Sequence, residues 1–319
     1  MSINFAITGV AGYVAPRHLR AIRDTGNKLI AALDPHDSVG ILDSYAPDAR
    51  FFTEYERFDR HLEKLRRGGD KDRVHMISIC SPNYLHDAHI RTALRVGADA
   101  LCEKPLVLNP WNLEALQQLE SETGKRVFTV LQLRHHPTIL GLKEKIDQSP
   151  SGTKYDIDLA YVTSRGAWYL RSWKGRIEES GGLGTNIGIH FFDMLIWIFG
   201  RVEYFEVHAG DATKNVGYME LERARVRWFL SIDIANVPAE LAGKGQRTYR
   251  SITVDGEELE FSDGFTDLHT TVYRETLAGR GHGIDDARPS IQLCHAIRNA
   301  APLGVQSYSH PLLPRSGGA

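Results

Sequence analysis

Glu103-Lys104-Pro105 is the densest run of chemically capable side chains in the sequence. An ammonium at Lys104 can orient an alcohol or stabilise alkoxide character as a hydride departs, and Glu103 can hold that lysine in place. A plain surface ion pair accounts for the same two residues, and Pro105 fixes the backbone without offering an N–H. A second candidate group is Asn186, His190 and Asp193. The neutral imidazole of His190 can accept a proton near pH 7. Asn186, four residues earlier, shares a helical face with it if the helix has begun by then, and can orient a hydroxyl. Asp193 suits the same group or a cap or solvated position on that helix. A satisfied structural histidine explains His190 as well. Zinc could be bound by these three in principle, but no close cysteine cluster supports it. His135, His136, His269 and His282 complete no clear ligand set, so no metal is expected.

The first glycines point to a nucleotide. Gly9, Gly12 and the small Ala15 form a G-x-x-G-x-x-A turn, a variant of the usual dinucleotide spacing. Small residues there let the backbone and a helix N-terminus approach pyrophosphate, with Ala11, Tyr13 and Val14 lining the same turn. Flavin, nucleotide-sugar and purely structural turns share this look. Asp34 narrows the choice, because a carboxylate ending the second strand accepts hydrogen bonds from a ribose and repels a ribose phosphate, favouring NAD over NADP. An Asp34-Pro35 turn is the competing explanation, and His36 fits either an adenosine contact or that turn. Ser81-Pro82-Asn83 ends another inferred parallel strand, where Pro82 can pack near a cofactor and Asn83 can contact it. His86 then either joins the contact or orients the loop. On the substrate side, Arg165, Trp168, Tyr169, Arg171 and Trp173 combine cationic forks with aromatic faces. That mixture suits an acidic, nucleotide-bearing sugar, or else an aromatic-packed surface loop.

These residues need elements to carry them. Apolar runs at Ile3–Thr8, Lys28–Leu33, Val74–Cys80, Ala98–Cys102 and Val127–Leu131 read as strands. They alternate with helical segments reaching about Thr25, at Phe58–Arg67, at His86–Val96 and at Pro110–Thr123. Such alternation predicts a mainly parallel sheet covered on both faces. After residue 131 the pattern becomes strand-rich: Ile157–Thr163, Val202–Ala209, Ala224–Ile234 and Thr248–Val254. Val226, Trp228, Leu230 and Ile232 alternate onto one side of the third. Asp255-Gly256-Glu257 is a hairpin turn leading to Leu259 and Phe261. Ile187–Phe199 interrupts the strands as a helix, Leu268–Leu277 and Ser290–Asn299 are late helices, and Pro302–Ala319 reads as an irregular tail crossing a neighbouring surface. The expected architecture is therefore an α/β N-terminal Rossmann dinucleotide-binding domain over 1–131. An α+β substrate-binding and oligomerisation domain with a largely antiparallel sheet follows over 132–319, with C-terminal return contacts.

Bulk properties agree with a globular chain. The 319 residues are 42% hydrophobic and 24% charged, which gives no reason to expect general disorder. A formal net charge of -2 argues against wholesale nucleic-acid binding. Cys80, Cys102 and Cys294 lack metal-ligand spacing and suit a reducing compartment. The chain opens on a strand rather than a signal segment, and no uninterrupted apolar run is read as a membrane span, so a cytoplasmic protein is expected.

With these residues located, the sequence resembles the glucose-fructose oxidoreductase and inositol dehydrogenase (Gfo/Idh/MocA) family along almost its whole length. The likeness is carried by the glycine turn, Ser81-Pro82-Asn83 with His86, Glu103-Lys104-Pro105, and the segment Gly181 to Asp193. Gly9-Val10-Ala11-Gly12-Tyr13, Leu33-Asp34-Pro35-His36 and Ser164-Arg165-Gly166 with Trp168-Tyr169 resemble a subgroup acting on UDP-linked aminouronates. The resemblance implies hydride transfer from sugar C3 of UDP-N-acetyl-D-glucosaminuronic acid to NAD, with Lys104 and His190 as catalytic residues. It also implies a 3-keto product for a downstream aminotransferase serving surface polysaccharide, and a homotetramer. In some such proteins 2-oxoglutarate reoxidises tightly bound NADH. Many relatives carry aspartate where this chain has Asn186, which weakens a lysine-aspartate-histidine mechanism and leaves His190 as proton acceptor. Two other readings stay open: a family enzyme for another sugar or cyclitol, and a non-catalytic NAD-linked binding protein.

Overall fold

In the computed structural model the described residues, 2–259 and 267–314, fall into two units. The first comprises residues up to 135 together with 267–288, and the second comprises 136–259 and 289–314.

The first unit is built on six short strands: β1 (Asn4–Thr8), β2 (Lys28–Leu33), β3 (Arg50–Phe52), β4 (Met76–Ile79), β5 (Asp99–Cys102) and β6 (Val127–Thr129). They lie in the order β3-β2-β1-β4-β5-β6, and every pairing is parallel. Their sequences are nearly continuous apolar runs because both faces are covered; all four residues of β4 are buried. Strand order reverses between β1 and β4, so the loops leaving those two strands flank the crevice where such sheets bind ligands. The helix after β1, Ala15–Asp24, has proline in its first turn, where a missing N–H costs nothing. Its buried residues Ala15, His18, Leu19 and Ile22 fall at helical spacing, and one of them is a histidine.

A helix from far along the sequence completes this unit. Leu268–Leu277 lies against helix Ala15–Asp24, and Val272 and Tyr273 join the core formed by Phe5, Ile7, Leu19 and Ile22. The Tyr273 ring stacks on Phe5 at 5.8 Å between centroids.

The second unit carries β7 (Tyr155–Thr163), β8 (Val202–Gly210), β9 (Lys214–Leu221), β10 (Ala224–Ser231), β11 (Thr248–Val254) and β12 (Glu257–Glu258) in the order β12-β11-β7-β10-β9-β8. The sheet is antiparallel except for the β7–β10 pair, which is parallel. Val226, Trp228 and Leu230 are buried as their alternation predicts, and so is Phe229 from the opposite face. The β9 strand was not anticipated. Its Gly217 lies opposite Trp228, and a β-carbon there would stand 2.3 Å from the indole, so the tryptophan demands the glycine that hides the strand pattern. Asp255 and Gly256 both have positive φ, 51° and 82°, and make the two-residue turn between β11 and β12. Phe261 lies outside the described residues.

The stretch Ile177–Phe199 is long and apolar enough, by length and composition only, to cross a membrane, with mean hydropathy 1.3 over its most apolar window, although Glu178, Glu179, His190 and Asp193 interrupt it. It is instead a core element of this unit: 67% of that window is buried, and Phe192 packs edge-on against Trp228. The C-terminal tail through residue 314 is irregular but lies on its own sheet. Leu303 donates to the Val207 carbonyl, Ser309 meets His208, and Leu313 is buried with Val216 and Phe229.

Candidate active site

The turn leaving β1 is pressed against the turn leaving β4. Gly9 donates to the Leu33 carbonyl at 2.8 Å with φ at 79°, and a β-carbon on it would fall 2.5 Å from the Cys80 carbonyl group and 2.6 Å from Ser81 N. Gly12 donates back to Gly9 and Ala15 to Gly12, winding the chain into the helix. Tyr13 stands almost fully exposed, with Arg17 over its ring, and Val14 is half-buried.

Asp34 ends β2 and is 5% exposed. One carboxylate oxygen accepts the Ala11 N–H at 3.0 Å and the other accepts the His36 N–H at 2.9 Å. It therefore organises both the glycine turn and its own turn, while the His36 side chain is exposed.

After β4, Ser81 and Asn83 are buried and Pro82 is half-buried. Ser81 Oγ pairs with His89 Nδ1, whose pKa burial pushes down to about 4. His86 has no exposed surface; its Nδ1 lies 2.7 Å from the Pro105 carbonyl and its Nε2 2.9 Å from the Ser81 carbonyl. Burial lowers its pKa although both carbonyls favour the charged ring. The ring thus pins the two loops together.

Glu103 follows β5 and is anchored by its N–H to the Ile79 carbonyl. Its carboxylate is 8% exposed, so the surface-ion-pair reading fails. Oε1 accepts from His18 Nε2 at 2.9 Å and from His269 Nε2 at 3.0 Å, and Oε2 faces the Lys104 backbone N–H at 3.2 Å. Burial alone would raise this carboxyl, but the bonds from the two histidines hold it well below the ordinary carboxylate range. His18 Nδ1 in turn meets the Tyr273 hydroxyl at 2.8 Å, and that hydroxyl meets Ser78 Oγ at 2.6 Å. His18, Glu103 and His269 also have the donor types of a metal site, but these separations are those of hydrogen bonds. Lys104 itself is half-buried. His18, His269 and Tyr273 were not anticipated as site residues. The one local signal was a histidine within the apolar stripe of helix Ala15–Asp24.

In the second unit, Arg165, Trp168 and Arg171 are exposed, and Trp173 is half-buried. Lys174 Nζ lies 4.2 Å from the Trp173 ring centroid and 5.9 Å from that of Trp168; burial, then the Arg165 charge, lowers its pKa. Tyr169 is buried, and its hydroxyl accepts from Asn186 Nδ2 at 2.7 Å, tying this loop to the next element. Asn186 lies in a π turn, Gly184–Gly188, that runs directly into helix Ile189–Phe199. The helical winding thus begins ahead of Asn186, at Gly182, and widens into i→i+5 turns around Asn186 before the α-helix resumes, a distortion common at functional sites. His190 is half-buried near the start of that helix, and Asp193 is buried.

Residues 3–131 match the oxidoreductase family model described as an NAD-binding Rossmann fold, and residues 143–244 match the model for that family's C-terminal alpha/beta domain. A solved structure of the WlbA (WbpB) dehydrogenase from Thermus thermophilus is 55% identical, covering 98% of this chain and 100% of that one, with a TM-score of 0.94. The chain belongs to the Gfo/Idh/MocA oxidoreductase family. The Thermus protein has been solved with NAD and alpha-ketoglutarate, and also with NAD and UDP-GlcNAcA, the latter at a TM-score of 0.93. WlbA from Bordetella pertussis, at 20% identity over 96% of this chain and 98% of that one, has a TM-score of 0.75 and shares the fold. Among curated relatives, inositol 2-dehydrogenase from Rhizobium meliloti is 25% identical over 204 residues, 63% of this chain and 56% of its own length. The chain thus spans little more than half, or less, of the first curated relatives it matches.

The first unit fits the NAD this family uses. Gly9 lets the β1 turn close on the β4 turn, the helix N-terminus at Ala15 favours a pyrophosphate, and Asp34 offers a carboxylate just after β2. Asp34→Asn keeps an acceptor for the Ala11 N–H and removes the charge, so it is expected to weaken NAD binding roughly tenfold while improving NADP relative to NAD. Asp34→Ala also releases the turn and is expected to bind NAD more weakly still. Calorimetric titration with both nucleotides checks this; unchanged NAD affinity in both variants would remove Asp34 from the binding site.

Proposed function

We propose that this chain oxidises the C3 hydroxyl of UDP-N-acetyl-D-glucosaminuronic acid to the 3-keto sugar. The observation that carries this reading is the 55% identity, over nearly the whole of both chains, with a dehydrogenase solved in complex with NAD and UDP-GlcNAcA. Bound NAD supplies the hydride acceptor. Lys104 donates a hydrogen bond to the C3 oxygen and stabilises the charge that develops there. His190 accepts the hydroxyl proton, and Asn186, held by Tyr169, keeps the hydroxyl oriented. Arg165 and Arg171 supply cationic forks for the uronate or diphosphate, and Trp168, Tyr169 and Trp173 form the aromatic lining of that loop.

The wider reading follows the same likeness. A 3-keto sugar is a substrate for an aminotransferase, placing the reaction in aminouronate synthesis for surface polysaccharide. The Thermus complex with alpha-ketoglutarate supports 2-oxoglutarate as the acceptor that recycles bound NADH. We also propose a homotetramer working in the cytoplasm, consistent with three buried cysteines that form no disulfide.

The test mixes purified protein with NAD and UDP-N-acetyl-D-glucosaminuronic acid, with and without 2-oxoglutarate. NADH is followed by absorbance and the new carbonyl is located by NMR. A 3-keto product is expected. Absence of that product under both conditions, or a carbonyl at another carbon, would overturn the substrate assignment.

A further inference from the structure

Lys104 is proposed above as a catalytic residue, and a buried polar network lies beneath its peptide, joining residues up to 255 positions apart. Ser78, Tyr273, His18, Glu103 and His269 form one buried chain of hydrogen bonds in the first unit, ending at the Lys104 N–H. One proton pattern satisfies every bond in it. The Glu103 carboxylate can only accept, so His18 and His269 both present Nε2–H. Burial lowers the His18 pKa, and the neutral ring with Nε2–H on Glu103 accepts at Nδ1 from the Tyr273 hydroxyl, which then accepts from Ser78. One negative charge is thereby buried with five polar groups arranged around it, and every donor points inward along the chain.

Such an arrangement is costly to bury and demands complete pairing. Glu103 is followed at once by Lys104, whose N–H it holds, while the Pro105 carbonyl on the other side is held by His86. The lysine peptide is therefore clamped at both ends by buried groups, and one clamp depends on the helix Leu268–Leu277.

We infer that His18 and His269 are positioning residues for Lys104, acting through the Glu103 carboxylate. Other charged or titratable groups face this carboxylate: Cys80 and Cys102 from the strand ends, His86 from its helix, and Arg17 beside His18. None replaces the two Nε2–H donors on Oε1. The inference rests on the catalytic reading of Lys104, so its test has one arm that needs no substrate.

His269→Leu removes a donor, and His269→Gln restores an N–H near the position of Nε2. Amide hydrogen exchange at Lys104 in the ligand-free protein is the first readout. It is expected to quicken about tenfold in His269→Leu, with His269→Gln close to wild type. Steady-state kinetics is the second. In His269→Leu, kcat is expected to fall roughly ten- to hundredfold with KM for the sugar nucleotide within about threefold of wild type, and the glutamine variant to recover most of it. Unchanged Lys104 exchange in His269→Leu overturns the inference. So does an equal loss in both variants alongside an equal fall in melting temperature, because the histidine would then serve only the core. If the wild type produces no NADH from the sugar nucleotide, the substrate reading falls, and the exchange arm still decides whether the network holds Lys104.

Discussion

Gly9→Ala is expected to lower NAD affinity by more than about a hundredfold and to destabilise the protein by roughly 2–5 kcal/mol. Two costs combine at this position. The backbone has φ of 79°, where a β-carbon is strained, and that β-carbon would collide at 2.5 Å with the backbone of Cys80, which cannot swing aside as a flexible side chain could. Relief requires the β1 and β4 turns to part, and that movement carries away the Ala11 N–H that Asp34 holds. Gly26 provides the control. It has φ of 75°, and a β-carbon on it would meet nothing within 4 Å, so Gly26→Ala carries the backbone strain alone. Denaturant unfolding and NAD titration of both variants separate the two costs. Equal behaviour of Gly9→Ala and Gly26→Ala would show that the close approach of the two turns does not govern the site.

Lys104→Met and His190→Ala form the second large expectation. Each is expected to reduce kcat by roughly 10²–10⁴ with a small change in melting temperature, since general acid–base and charge-stabilising groups contribute on that scale. Both side chains are half-buried, so neither substitution opens a large cavity. Turnover at the normal rate in both variants would remove them from the chemistry. A loss confined to Lys104→Met would leave proton acceptance to another group.

The elements that were legible from sequence are those whose burial is local and regular. Strands β1, β2, β4 and β5 read as apolar runs because both faces of the parallel sheet are covered. Gly9 and Asp34 were legible because backbone clearance and a carboxylate at a strand end are tied to particular residue types. The β9 strand was hidden by Gly217, whose reason is a tryptophan on the neighbouring strand. The π turn at Asn186 was hidden too, because Gly184–Gly188 has the same apolar spacing whichever way it winds. Helix Pro137–Gln148 was not anticipated, and strand β3 is only three residues long. At the site, Lys104 and His190 were singled out from local chemistry and resemblance. His269 and Tyr273 were beyond that reach, since their partners at Glu103 and Ser78 lie 166 and 195 positions away.

The return of helix Leu268–Leu277 into the first unit has a consequence for how the protein is made. A ribosome releases the six parallel strands well before it has synthesised Tyr273, and translation of the intervening segment takes on the order of ten seconds. Throughout that interval the nascent nucleotide-binding unit lacks Val272 and Tyr273 from its core and one donor to the buried Glu103 carboxylate. Its last folding step therefore waits for a late stage of synthesis, and a fragment expressed only as far as residue 131 should remain an incomplete, aggregation-prone intermediate.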